Sequence, residues 1–193
     1  MTKLDQAFAL FDSYNRQSPT HISNSGQDYP IEYFYAIKLH EWISILRSDA
    51  SEALLLASRC QHIGRWEIPR GSYPEGRIGY LTWRSDLSRF HAQKAEEILR
   101  SVDYDDMTIK RVKEIVQKKA IKKDPEVQTM EDALCLLFLQ YQYDELIAKQ
   151  SEEKMIAILQ KTLSKMSHQG TQVALTLRYS EEGERLLKKA LAA

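Results

Sequence analysis

The sequence predicts an all-α fold: a single-domain bundle of about seven or eight helices over residues 1–193. Three observations predict it. Glycine and proline are scarce, 7 and 5 in 193 residues, so turns are few. No long segment alternates polar and apolar residues with period two, the mark of a half-buried strand. Apolar residues instead recur three and four apart, between residues that cap helices well.

The elements follow in order. Leu4, Phe8 and Phe11 set a helical stripe over residues 4–14. Residues 16–29 are polar and turn-rich and read as a loop. Pro30 opens a second helix at its first position, where the missing N–H costs nothing, and that helix runs to about residue 47. Asp49 or Ser51 caps a third, which carries Leu54, Leu55 and Ala57 and stops near Gly64. Residues 67–84, EIPRGSYPEGRIGYLTWR, hold two turn signals and read as the longest non-helical stretch in the middle of the chain. A loop of that length in a compact domain is commonly functional. Ser85 then caps a fourth helix to about residue 102. A fifth starts at Asp105 or Asp106 and ends at about residue 121. Asp124-Pro125 starts a sixth, reaching about residue 149 through DALCLLFLQY, which is apolar on nearly all sides and therefore central. Ser151 begins a seventh with the stripe Ile156, Leu159, Leu163 and Met166, ended by Gly170. A short last helix follows Ser180.

Composition excludes several classes. Hydrophobic residues make up 43% and charged residues 28% of the chain, as in ordinary globular proteins. Lys+Arg and Asp+Glu are 27 each, so the net charge is zero. Such a balance exerts no general pull toward nucleic acid or an anionic membrane. Cys60 and Cys135 lie in apolar helical stretches and read as reduced, buried thiols of a cytoplasmic protein. The N-terminus lacks the basic-then-apolar order of a signal peptide. No stretch approaches the roughly 18 apolar residues of a membrane span. The basic residues from Lys110 to Lys123 read as a solvated face.

Four ionisable residues sit where helix faces should be apolar. His40 is one turn from Ile37 and Ile43. His91 lies between Leu87 and Ala95. Asp132 shares a face with Cys135, Leu136 and Leu139. His62 is in line with Leu55 and Ser58. Each has a plain structural alternative. A histidine on an apolar face can be a hydrogen-bonded core residue, and a cation near a helix C-terminus, as at His62, gains about 0.3–1 kcal/mol from the dipole. A buried carboxylate must be paired, protonated or coordinated. Taken together, three imidazoles and a carboxylate suit one divalent transition metal site for Mn, Fe, Ni, Co or Zn, with the number of ions open.

Several stretches resemble known families. ALLLASRCQHIGRW, FHAQKAEEIL and MEDALCLLFL resemble the ligand-bearing segments of HD-domain metal-dependent phosphohydrolases, over roughly residues 33–145, with His40 where the first family histidine stands. QHIGRWEIPR, YPEGRIGYLTWR and FHA together are similar, more closely, to the domain-of-unknown-function 4202 family, over about residues 4–187. The HD likeness implies an HD-like helical domain with metal ligands at His40, His62, His91 and Asp132. It departs at the signature pair: Gln61-His62 stands where His-Asp is expected, which lowers the charge of the ligand set by one and places Gln61 at a catalytic position.

The implied activity is metal-dependent hydrolysis of a small phosphorylated compound, such as a nucleotide, by metal-activated water. Arg59, Arg65, Arg70 and Arg84 are then candidate phosphate contacts. Trp66, with Tyr73, Tyr80 and Trp83, can stack on a base, or can simply pin the 67–84 stretch to the helices. Lys165, near Lys161 and His168, is a further candidate at the end of the seventh helix. Glu41 and Glu67 are candidate bases. Two alternatives stand beside this reading: a non-catalytic helical binding module derived from an HD-like enzyme, and an HD-like iron oxygenase.

Overall fold

The computed structural model describes residues 1–192. It contains ten α-helices among those residues, more than the seven or eight expected, and one small hairpin. In chain order the helices are α1 (Lys3–Asn15), α2 (Ile31–Leu46), α3 (Glu52–Cys60), α4 (Gly76–Ser101), α5 (Asp106–Val116), α6 (Pro125–Tyr141), α7 (Tyr143–Ile147), α8 (Glu152–Lys165), α9 (His168–Ala174) and α10 (Glu181–Ala192).

Local chemistry accounts for most of the starts. Thr2 and Asp5 form a reciprocal capping box at α1. Ser51, Asp105 and Ser151 each accept a backbone N–H at the heads of α3, α5 and α8. Asp124 accepts from the amides of Glu126 and Val127, and Pro125 occupies the first turn of α6.

Helix α6 is the central element: Met130, Ala133 and Leu136 are fully enclosed. It packs against α2, α3, α5, α8 and α9. Leu39 and Ile43 from α2, Leu54 and Leu56 from α3, Leu99 from α4 and Ile115 from α5 complete the interior, all without exposed surface. Burial of each such side chain stabilises by about 1.5–3 kcal/mol relative to exposure.

Four expectations are corrected. The 16–29 stretch is not all loop: His21–Asn24 (β1) pairs antiparallel with Gln27–Pro30 (β2). Ser25 and Gly26 at its tip both have positive φ, 52° and 78°, the requirement of a two-residue hairpin turn whose twist matches the strands. The 67–84 stretch is largely helix, because α4 starts at Gly76 rather than Ser85. Only two short 3-10 turns, Arg65–Glu67 and Arg70–Ser72, precede it. Weak intrinsic helix formers at 76–84, two glycines and two aromatics, are overridden by packing: Trp83 is 7% exposed and donates its indole N–H to the Ile68 carbonyl at 2.9 Å. The sixth helix breaks at Gln142, so α7 is separate. Finally, Gly170 does not end a helix. Ser167 caps a new one, α9, and Gly170 lies buried in its first turn.

Gly170 is there because nothing larger fits. A Cβ on it would stand 2.6 Å from Cγ of Asp132 on α6. Gly170→Ala is expected to lower stability by about 1–3 kcal/mol through overpacking. An unchanged urea midpoint would show that α9 does not rest on α6 at this distance.

Candidate functional site

A cleft of about 630 Å³ opens between α2, α4, α6 and α8, with the turn after α3 as its floor. This is the usual size of a small-molecule site. One stripe of α4 lines it: Tyr80, Arg84, Leu87, Ser88 and His91, spaced three and four apart. One stripe of α6 faces it: Glu131, Leu134, Cys135 and Phe138. Glu32 and Tyr35 come from α2, and Thr162 and Lys165 from α8.

The floor depends on a sharp reversal after α3. Gly64 has φ +64°, and a Cβ there would meet Phe90 at 2.8 Å. Glycine is the residue that permits this turn. It aims Gln61, His62 and Arg65 at the cleft. Gln61 is 6% exposed, and its Nε2 donates to the Val116 carbonyl at 3.2 Å. The His91 ring lies 4% exposed on the other side, with Nδ1 2.7 Å from the Ile63 carbonyl. A carbonyl only accepts, so Nδ1 carries the proton and Nε2 is left with its lone pair. The His62 and His91 rings stand edge to face, 6.3 Å between centroids.

Both imidazoles are held neutral. Burial moves His91 from 6.5 down to about 4, with Arg65 adding to the shift and the Ile63 carbonyl opposing it. His62 lies well below its ordinary value, through burial first and then the charges of Arg65, His91, Lys118 and Arg84.

Positive charge surrounds them. Arg65 and Arg84 stand at the mouth, and among the described residues neither guanidinium has a carboxylate within 4.0 Å. Arg65 lies over the Trp83 ring and Arg84 donates to the Tyr80 hydroxyl at 3.2 Å. Glu131, 3% exposed, stands between Lys118 Nζ at 2.8 Å and Lys165 Nζ at 3.7 Å. Burial raises its pKa, but Lys118, Lys165 and Arg84 outweigh burial and hold it below the usual carboxylate value. Lys118 reaches the cleft from a left-handed backbone, φ +54°.

The cleft therefore gathers Gln61, His62, Arg65, Arg84, His91 and Lys165 of the expected site residues. The others lie elsewhere. The expectation of one metal centre at His40, His62, His91 and Asp132 is corrected: no group of three or more His, Cys, Asp or Glu side chains is placed to hold an ion among the described residues. His40 Nδ1 is 3.0 Å from the Ser58 hydroxyl, and its ring packs on Phe8. Asp132 faces α9 instead. Its Oδ1 accepts from the Ser167 amide at 2.8 Å and from Gln128 at 3.0 Å, and its Oδ2 accepts from the Ser167 hydroxyl at 2.5 Å. It is a structural carboxylate that anchors the helix cap. Arg59 pairs with Asp12 at 2.9 Å. Trp66 stacks on Tyr14. Arg70 donates to the Tyr73 and Pro74 carbonyls at 3.0 Å. Glu41 pairs with Lys38 at 2.9 Å, and Glu67 accepts from the Tyr14 hydroxyl.

Glu32, Tyr35, Lys118 and Glu131 are among the lining residues not singled out from sequence. Glu131 was findable, since it precedes Asp132 and shares a face with Leu134, Cys135 and Phe138 at helical spacing. Lys118 was not, because its position depends on a backbone turn that no residue type there announces.

A buried neutral imidazole couples stability to pH. Unfolded, His91 takes up a proton below about pH 6.5; folded, it does so only near pH 4. Its contribution is present above pH 6.5 and is lost as pH falls to 4, about 3 kcal/mol in all. His91→Gln should flatten the decline of stability over that window, measured by urea unfolding at successive pH values. An unchanged slope would show that another group governs it.

Cys60 and Cys135 are free and buried. No helix among the described residues is long and apolar enough to cross a membrane. No match was found among curated proteins or among solved structures. A family model described as "Domain of unknown function (DUF4202)" matches residues 5–187, and on that match the chain belongs to this family.

Proposed function

We propose that the cleft binds a small phosphorylated compound through the protein's own cations, without a resident metal. One observation carries the reading: Arg65, Arg84, Lys118 and Lys165 converge on two neutral imidazoles, with Glu131 the one carboxylate set between two of them. Converging cations in a partly desolvated cleft, two of them free of carboxylate partners, are complementary to a phosphate. The neutral rings add hydrogen-bonding capacity without adding repulsion.

The residues present do not fit the divalent ion that the HD likeness implies. Asp132 is committed to Ser167, His40 to Ser58, and Glu131 to two lysines. The two remaining imidazoles do not make a site of three or four ligands. The same shortage weighs against the iron oxygenase reading.

Phosphate-ligand binding by a helical module is therefore the first reading. Hydrolysis of the same ligand is a second, favoured by the free Nε2 lone pair of His91, which is a proton acceptor for a water held in the cleft. Binding precedes either.

Calorimetric titration with inorganic phosphate tests the site. Arg65→Ala and Arg84→Ala should each weaken binding about 10- to 100-fold, the loss of one charge-assisted contact, and the affinity should fall with added salt. Wild-type protein that takes up no phosphate would overturn the reading. Stoichiometric metal, found in protein purified without chelator and lost in His62→Ala, would restore the metal-dependent one.

A further inference from the structure

His62 is an uncommitted polar side chain at the floor of the cleft, partly buried. Neither ring nitrogen has a hydrogen-bond partner among the described residues, and neither is among the side-chain atoms shut off from solvent. A neutral imidazole carries a lone pair on one nitrogen, so a nucleophile opens onto the cleft. The charges of Arg65, Lys118 and Arg84 all act on this ring. A phosphoryl group drawn to those cations lies against it.

Other nucleophilic side chains of the cleft are held back. His91 is 4% exposed, and its ring is tied to the Ile63 carbonyl. Burial pushes the Cys135 thiol up to about 12, so it is no thiolate at neutral pH. Thr162 donates its hydroxyl to the Ile158 carbonyl at 2.8 Å. A serine hydroxyl needs an adjacent base to attack, and among the described residues no base is hydrogen-bonded to Ser88. The same groups limit what can leave. Both imidazoles are unprotonated and Glu131 is ionised at neutral pH, so none of the three hands a proton to a departing alkoxide. A leaving group that departs as a stable anion, or with a proton of its own, needs none.

We propose that His62 is a phosphoryl acceptor: a ring nitrogen takes the phosphoryl group of an activated donor, such as an acyl phosphate or a phosphoramidate, while Arg65, Arg84 and Lys118 hold its oxygens. This rests on the phosphate reading above and carries it from binding to group transfer. The nitrogen lone pair forms the N–P bond, and the bond from phosphorus to the leaving group breaks. A carboxylate leaves an acyl phosphate with the electron pair; ammonia leaves a phosphoramidate with the proton it already carries. Charge in such a transfer lies on the outer phosphoryl oxygens, where positioned cations stabilise it. Water then attacks phosphorus, the electron pair returns to the ring nitrogen, and the proton of the water passes to His91 Nε2 and on to solvent.

Phosphoramidate is the probe, and His21 and His168, both exposed, are standards within the same chain. Peptide mass spectrometry at alkaline pH, where the N–P bond survives, follows the phosphoryl group on each histidine. His62 should be labelled at least about tenfold faster than either standard, because a held donor gains orders of magnitude in effective concentration. Inorganic phosphate should protect His62 and spare the standards. Arg65→Ala and Arg84→Ala, checked for folding by circular dichroism, should each slow labelling of His62 about tenfold, as loss of a charge-assisted contact implies, with His21 and His168 labelled as before. Ethyl phosphate should label nothing. Labelling of His62 no faster than the standards, or unchanged in both arginine variants, overturns the proposal while calorimetric uptake of phosphate keeps the binding reading. Labelling by ethyl phosphate overturns the restriction to activated donors. No uptake of phosphate together with no labelling of His62 overturns both readings.

Discussion

The hydrogen bond from His91 Nδ1 to the carbonyl of Ile63 is the constraint on which the cleft depends. It joins the middle of the longest helix to the turn that follows α3, two elements that must meet for a floor to exist. The bond sits where water does not compete, and that raises its cost if broken. It also fixes the tautomer, so one buried residue both ties the scaffold and presents a lone pair. The reversal at Gly64 supplies the other half of the joint. Around this joint the bundle can afford a polar interior, because the core of α2, α3, α5 and α6 is apolar and closed elsewhere.

Helix content was legible in the sequence because caps and periodicity agree. Asp124-Pro125 and the apolar run behind it leave α6 no other reading. The misplaced boundaries have a common cause. At residues 76–84 the side chains are poor intrinsic helix formers, and the helix is imposed by what Trp83 and Leu87 bury against. Gly170 looks like a stop because glycine commonly is one, yet here it is a spacer between α9 and Asp132. Local signals miss both, since the deciding contacts come from residues distant along the chain.

The site was legible in part for the same reason. His62, Arg65, Arg84 and His91 stand close to one another because QHIGRW and the α4 stripe are each a short-range pattern. Asp132 misled because an aspartate on an apolar face looks uncompensated until its partner is known, and Ser167 is 35 positions away. Glu131 carries the charge that faces the cleft. Adjacent residues on a helix point about 100° apart, so a one-residue shift separates a scaffold carboxylate from a site carboxylate.

Lys118 brings two demands into conflict. Its left-handed backbone is uphill by about 1 kcal/mol or more for any side chain with a Cβ, and Ala120 and Lys122 nearby share that geometry. A glycine would relieve the chain at this point, but it would withdraw the ammonium group that faces Glu131. The fold would grow firmer while a corner of the cleft turned from neutralised to acidic, with Glu131 left to the more distant Lys165. Rigidity and ligand charge are thus set against each other at a single backbone angle.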